Sequence, residues 1–165
     1  MGSTITDRKV KISITLLRIL IGWHFLYEGV VKLYNPEWTS LGYLASAQGP
    51  FKPIFSSLTN PSVIGWVDTL NMTALLVVGI TLLLGVFEKK GALVGIGLLL
   101  LYYLAHPSFP GVSQINVEGN YWFVNKNLIE LVACLVIYNY PTGHFFGLGY
   151  FYKKRLTKIK NYEMD

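Results

Sequence analysis

Cysteine is nearly absent: Cys134 is the only one in the 165-residue chain. That excludes an intrachain disulfide and any Cys-x-x-Cys redox pair, and it argues against membrane oxidoreductases that relay electrons through paired cysteines. Cys134 itself lies inside an apolar run and reads as a buried structural thiol. Charge is scarce as well, with 14% of residues charged and only nine of them acidic. There is no internal repeat, no low-complexity tract, and no haem-attachment, flavin or iron–sulfur signature. Histidines and carboxylates are present without the short spacing of a metal site, so no metal is expected.

What the chain does have is long hydrophobic runs, over residues 12–34, 63–87, 92–109 and 122–140. Each is near the roughly 20 residues a helix needs to span a bilayer. Apolar residues make up 52% of the chain, which leaves no room for a separate soluble domain. The expectation is one all-α domain over 1–165, an integral membrane four-helix bundle. Arg8, Lys9 and Lys11 precede the first run, Lys89 and Lys90 separate the second from the third, and Lys153, Lys154, Arg155, Lys158 and Lys160 follow the fourth. By the positive-inside rule both termini are then cytoplasmic, and the longer loops 35–62 and 110–121 face outward. The net charge of +5 thus reports topology and attraction to anionic lipid heads, with no nucleic-acid partner. The first run has no cleavage site after it and is expected to stay as an anchor.

Loop 35–62 is too apolar for a solvated linker and too broken for a span. It reads as short interfacial helices over the mouth of the bundle, with Pro50 and Pro53 as breaks. Gly91 and Gly95 form a small-residue face that admits a neighbouring helix. Residues 144–152 read as an amphipathic stretch on the cytoplasmic surface.

The ionisable residues within or beside the runs need explaining, since a charge at the bilayer centre costs roughly 2.5–3.5 kcal/mol even on a lenient scale. His24, Glu28 and Lys32 recur at intervals of four and share one face of the first helix. Asp68, His106, Lys126 and Glu130 fall at the same outer end of the other three runs. Together they point to an outward-opening pocket lined by Trp23, Trp66, Tyr102 and Trp122. In it His24 is a candidate proton acceptor tuned by Glu28. The alternative is a structural network in which Lys126 with Glu130, or Glu28 with Lys32, neutralise one another. Arg18, on the inner half, can snorkel or pair with a carbonyl and is given no chemistry.

Two stretches carry a resemblance. Arg18-Ile19-Leu20-Ile21-Gly22-Trp23-His24-Phe25-Leu26-Tyr27-Glu28-Gly29-Val30-Val31-Lys32-Leu33 and Val124-Asn125-Lys126-Asn127-Leu128-Ile129-Glu130 resemble the DoxX family of small four-helix bacterial membrane proteins, related to the small subunit of thiosulfate:quinone oxidoreductase. The resemblance implies a subunit of a membrane redox system that interacts with quinone, alongside other membrane or periplasmic subunits. It then implies His24 and Glu28 as proton partners of a quinone oxygen and Trp23, Tyr27 or Trp66 against the ring. Asp68, His106, Lys126 and Glu130 would orient them or gate access. The competing class is a non-enzymatic subunit that anchors or assembles a larger complex, with the Gly91–Gly97 face and the first outer loop as contact surfaces. A small-solute carrier is a third.

Overall fold

The computed structural model describes residues 2–110 and 121–150, with side chains from Asp7 onward. The basic cluster after residue 150, and most of the second outer loop, lie outside the described residues. Seven helices follow in order: α1 (Gly2–Tyr34), α2 (Leu41–Ala45), α3 (Lys52–Ser57), α4 (Ile64–Leu84), α5 (Glu88–Ala105), α6 (Lys126–Asn139) and α7 (Gly143–Phe146). Among the described residues there is no strand, only an isolated bridge between Tyr121 and Val124.

Among the described residues, two helices are long and apolar enough to cross a membrane, over Asp7–Tyr34 and Ile64–Leu84. The other two apolar runs differ from expectation. The third was expected over 92–109, but α5 begins at Glu88, taking the Glu88-Lys89-Lys90 turn into its first turn, and ends at Ala105. The fourth was expected over 122–140, but α6 starts only at Lys126 and covers 14 residues. The reason is local. Trp122 takes a positive φ of 60°, Tyr121 and Val124 close a tight reversal, and Asn125 is extended, its side chain accepting a hydrogen bond from Leu128 N at 3.0 Å. That is an N-cap, which satisfies one of the free amides of the first turn.

The helix faces follow the 3.6-residue period. On α1, Thr15, Arg18, Ile21, Gly22, Phe25 and Gly29 are buried, while Leu16, Leu20, Trp23, Tyr27 and Tyr34 form an exposed stripe. On α4 the exposed stripe runs Trp66, Leu70, Val77, Ile80 and Leu84. Continuous apolar stripes of this length suit hydrocarbon rather than water.

α1 packs on α4, α4 on α5, α5 on α6, and α6 back on α1. Small residues set the spacing. A Cβ at Gly79 would fall 2.5 Å from the backbone nitrogen of Leu26, and one at Gly91 would meet the Thr81 side chain. Gly95 sits against Val78, Cys134 and Phe25, so the Gly91 and Gly95 face is spent on packing within the chain. Gly97 faces open space. The main core joins Ile21, Phe25, Leu75, Val78, Leu82, Ala92, Leu99, Cys134 and Ile137.

The short helices expected in the first loop are present as α2 and α3. Pro53 opens α3 rather than breaking it, where a missing amide costs nothing. Leu44, Ala47 and Phe55 form a second cluster with Ala105, so the loop is a cap packed on the end of α5. At the opposite end Gly85 ends α4 with a φ of 65°. The chain returns there a second time: Gly143 and Gly149 pack on the Gly85 carbonyl, and Leu148 N donates to Leu84 O at 2.8 Å.

Candidate functional site

Between the main core and the cap lies a cavity of about 590 Å³. Phe25, Leu75 and Leu99 form its floor, Leu44, Phe55 and Leu58 its cap, and His24, Glu28, Lys32, Lys126 and Glu130 line it from α1 and α6. The face sharing expected of His24, Glu28 and Lys32 places all three on this wall. Lys32 Nζ is hydrogen-bonded to the Glu28 carboxylate one turn back. His24 Nε2 lies 3.5 Å from Glu130 Oε1, so α1 and α6 are joined by an imidazole and a carboxylate. Lys126 stands beside them, and its charge acts on both Glu28 and Glu130.

Of the two pairings in the structural alternative, Glu28 with Lys32 is present, while Glu130 lies against His24 and feels Lys126 through its charge. Lys126 and Glu130, four apart on α6, both line the cavity, as a shared helix face predicts.

His106 also lines the cavity. Its Nε2 lies 3.0 Å from the carbonyl oxygen of Tyr43, an acceptor only, so Nε2 carries a proton there. Its ring packs against that of Tyr43 at a tilt of 57°, with centroids 4.3 Å apart. The Tyr43 hydroxyl donates to Tyr102 O at 3.1 Å. Burial pushes the Tyr43 phenol above its ordinary value, with the neighbouring Tyr102 phenol adding to it, so it stays a donor. Tyr102 in turn donates to the Asn71 side-chain oxygen. Asn125 is buried and borders the cavity; its Oδ1 serves the cap of α6, and its Nδ2 has no acceptor among the described residues.

Asp68 is not on the lining. It accepts from Ser40 N at 2.9 Å and from the Ser40 hydroxyl, tying the cap to α4. Asp68→Ala is expected to raise amide exchange across 40–47 in hydrogen–deuterium exchange, with a change in global stability of about 1 kcal/mol.

Trp23, Tyr27 and Trp66, expected against a bound ring, are 60%, 58% and 78% exposed and do not line the cavity. Trp122, also expected there, is exposed. Trp23 and Tyr27 lie about a quarter-turn round α1 from His24 and Glu28, on the outward stripe. Tyr102 lines the cavity as expected, and the rest of the aromatic lining comes from Phe25, Trp38, Tyr43 and Phe55. Of these, Trp38, Tyr43 and Phe55 belong to the first outer loop. The sequence marks that loop as a cover but carries no signal for which of its rings turn inward.

A second polar group lies at the far end. Arg18 is fully buried, with Nη1 3.2 Å from Glu88 Oε2 and Nη2 donating to Phe146 O at 3.0 Å. Glu88 accepts from Thr142 N at 3.2 Å and from Gly143 N at 2.7 Å. Arg18 thus pairs with a carboxylate that the sequence places in an ordinary turn.

Apolar stripes facing out, carboxylates, lysines and histidine facing in: this is a small all-helical membrane protein with a partly polar cavity at one end. The DoxX family matches residues 13–107, and the chain belongs to that family. No curated protein and no solved structure matches it.

Proposed function

We propose that the cavity binds a quinone and that the chain works as a subunit of a quinone-linked membrane redox system. The observation that carries this is the His24–Glu130 pair across α1 and α6, set beside the Glu28–Lys32 pair on the wall of a cavity whose floor is apolar. A quinone ring needs flat apolar walls, donors for two carbonyl oxygens, and groups that hold protons; when bound it supplies the capacity to take up two electrons and two protons. The residues fit those needs. Phe25, Leu75 and Leu99 offer the walls, and Lys32, Lys126 and the unsatisfied Nδ2 of Asn125 are donors. His24 relays a proton between Glu130 and a ligand oxygen, since an imidazole holds one at either nitrogen. Glu28, ion-paired with Lys32, holds that ammonium on the cavity wall, where it can donate to the other ligand oxygen. No flavin, haem or iron–sulfur signature is in the sequence, so electrons arrive from a partner subunit.

In this reading the chain is multi-pass. α1, α4, α5 and α6 form a four-helix bundle in a bacterial cytoplasmic membrane, the termini and Lys89–Lys90 are cytoplasmic, and the cavity faces the outer leaflet. The basic clusters at one end and their scarcity at the other support that orientation. α5 and α6, being shorter, cross with help from the polar ends that their neighbours shield.

The test is organic extraction and mass spectrometry of protein purified in mild detergent. The unmodified chain is expected to carry quinone near one per protein, and Glu28→Gln and Glu130→Gln to retain at least about tenfold less, the loss of a charged hydrogen-bond partner being roughly 1.5–3 kcal/mol. Trp23→Phe, on the outward stripe, should retain it fully. Absence of quinone from every variant, including the parent, would leave the assembly-subunit function in its place. Gly91 and Gly95 are already committed to α4 and Cys134, so that function would rest on the cap surface.

A further inference from the structure

We infer that the cavity opens sideways into the bilayer between α4 and α5, past Leu70 and Leu101, and that its ligands are amphiphiles whose hydrocarbon tail stays in the membrane. This rests on the binding role of the cavity proposed above and adds the route and the ligand class. Leu70 lies on the outward stripe of α4 and is 72% exposed; Leu101 lies on the outer face of α5 and is 52% exposed. Both also line the cavity. A side chain that meets the surroundings on one side and a cavity on the other stands at an opening in the helix wall.

The packing of α4 on α5 explains the opening. Toward the Gly85 turn the two helices touch through glycine, Gly91 on Thr81 and Gly95 on Val78. Two turns further along α5 the interval is spanned instead by a whole tyrosine, Tyr102, hydrogen-bonded to Asn71. A tyrosine between the helices takes up more room than a glycine, and the Tyr102–Asn71 bond forms a polar sill beside Leu70 and Leu101.

The end-on cap, by contrast, is held by a set of hydrogen bonds, although Thr39, Tyr43 and Lys126 form an exposed polar rim there. The cap is held by Ser40 N to Asp68, Gln48 N to Ala105 O at 2.8 Å, Tyr43 to Tyr102 O and His106 to Tyr43 O. Opening it breaks several bonds at once, whereas moving two leucines that face hydrocarbon breaks none. A polar head seated by Glu28, Lys32 and Lys126 leaves its tail at Leu70 and Leu101, where the surroundings are as apolar as the tail itself.

The test uses the full chain in nanodiscs made from quinone-free lipid, with Trp23, Trp66 and Trp122 changed to Phe so that the cavity residue Trp38 is the only tryptophan. Association of a decyl-tailed benzoquinone and of the same ring without a tail is followed by stopped-flow quenching. Leu70→Phe with Leu101→Phe narrows the opening. The tailed-to-tailless rate ratio is expected to fall about tenfold, the equivalent of about 1.4 kcal/mol. Leu70→Ala with Leu101→Ala should keep or raise that ratio. An unchanged ratio in the Phe variant, or faster tailed association on loosening the cap with Asp68→Ala, would overturn the sideways route. If neither ring quenches Trp38 in the parent, the quinone reading fails and this inference falls with it.

Discussion

Replacing Arg18 by methionine is expected to lower the unfolding free energy in mild detergent by about 3–5 kcal/mol. Arg18 and Glu88 are both buried and lie 3.2 Å apart. Removing the guanidinium leaves the carboxylate without its counter-charge, and an unpaired buried charge is what makes such variants costly. The remaining partners of Glu88, the amides of Thr142 and Gly143, soften the loss without neutralising it. The same change frees Phe146 O, so the return of the chain onto Leu84 and Gly85 should loosen first. Hydrogen–deuterium exchange over 142–150 and a denaturant titration measure the two effects together. The double variant Arg18→Met with Glu88→Leu should recover part of the loss, because an apolar pair can replace a buried ion pair at little net cost. A single-variant loss under about 1 kcal/mol would mean the pair is solvated and does not hold the segment.

Gly79→Val is expected to cost about 3 kcal/mol, and Gly97→Val about 0.5 kcal/mol or less. An added Cβ at Gly79 would lie 2.5 Å from Leu26 N and 2.6 Å from Leu26 Cα, both main-chain atoms. No rotamer change relieves such a contact, so α1 and α4 must move apart. α1 also carries His24, Glu28 and Lys32, so the variant should shift the cavity wall and lower ligand retention as well as stability. Gly97 meets nothing within 4 Å and serves as the control. Equal melting temperatures for the two variants would show that the close approach at Gly79 does not set the helix spacing.

The sequence signals the helical segments strongly but the ends of the last two only weakly. Hydropathy marks apolar runs, and it does not distinguish an apolar residue in a helix from one in the reversal that precedes it. Trp122 and Phe123 continue the fourth run by composition, yet the backbone turns there and Asn125 starts α6 three residues later. A capping asparagine followed by Lys-Asn was the available cue. The first loop could be read as a cover because its apolar residues are interrupted by Gly, Ser and Pro, and α2 and α3 are indeed short helices.

Within one helix, spacing alone decided which polar residues share a face: His24, Glu28 and Lys32 stand together because four residues are just over one turn. Composition and charge placement likewise determined that the chain belongs in a membrane. Between helices the sequence is silent, since it carries no measure of how each helix is rotated about its axis or how close it comes to its neighbour. Only the tertiary structure decided that Glu130 meets His24, that Trp23 and Trp66 face outward while Trp38 turns in, and that Arg18 pairs with Glu88 seventy residues away. The physical reason is that contacts along a helix follow from local geometry, whereas contacts across helices depend on packing at Gly79, where two backbones come within van der Waals reach, and at Gly91 and Gly95, which receive side chains of neighbouring helices.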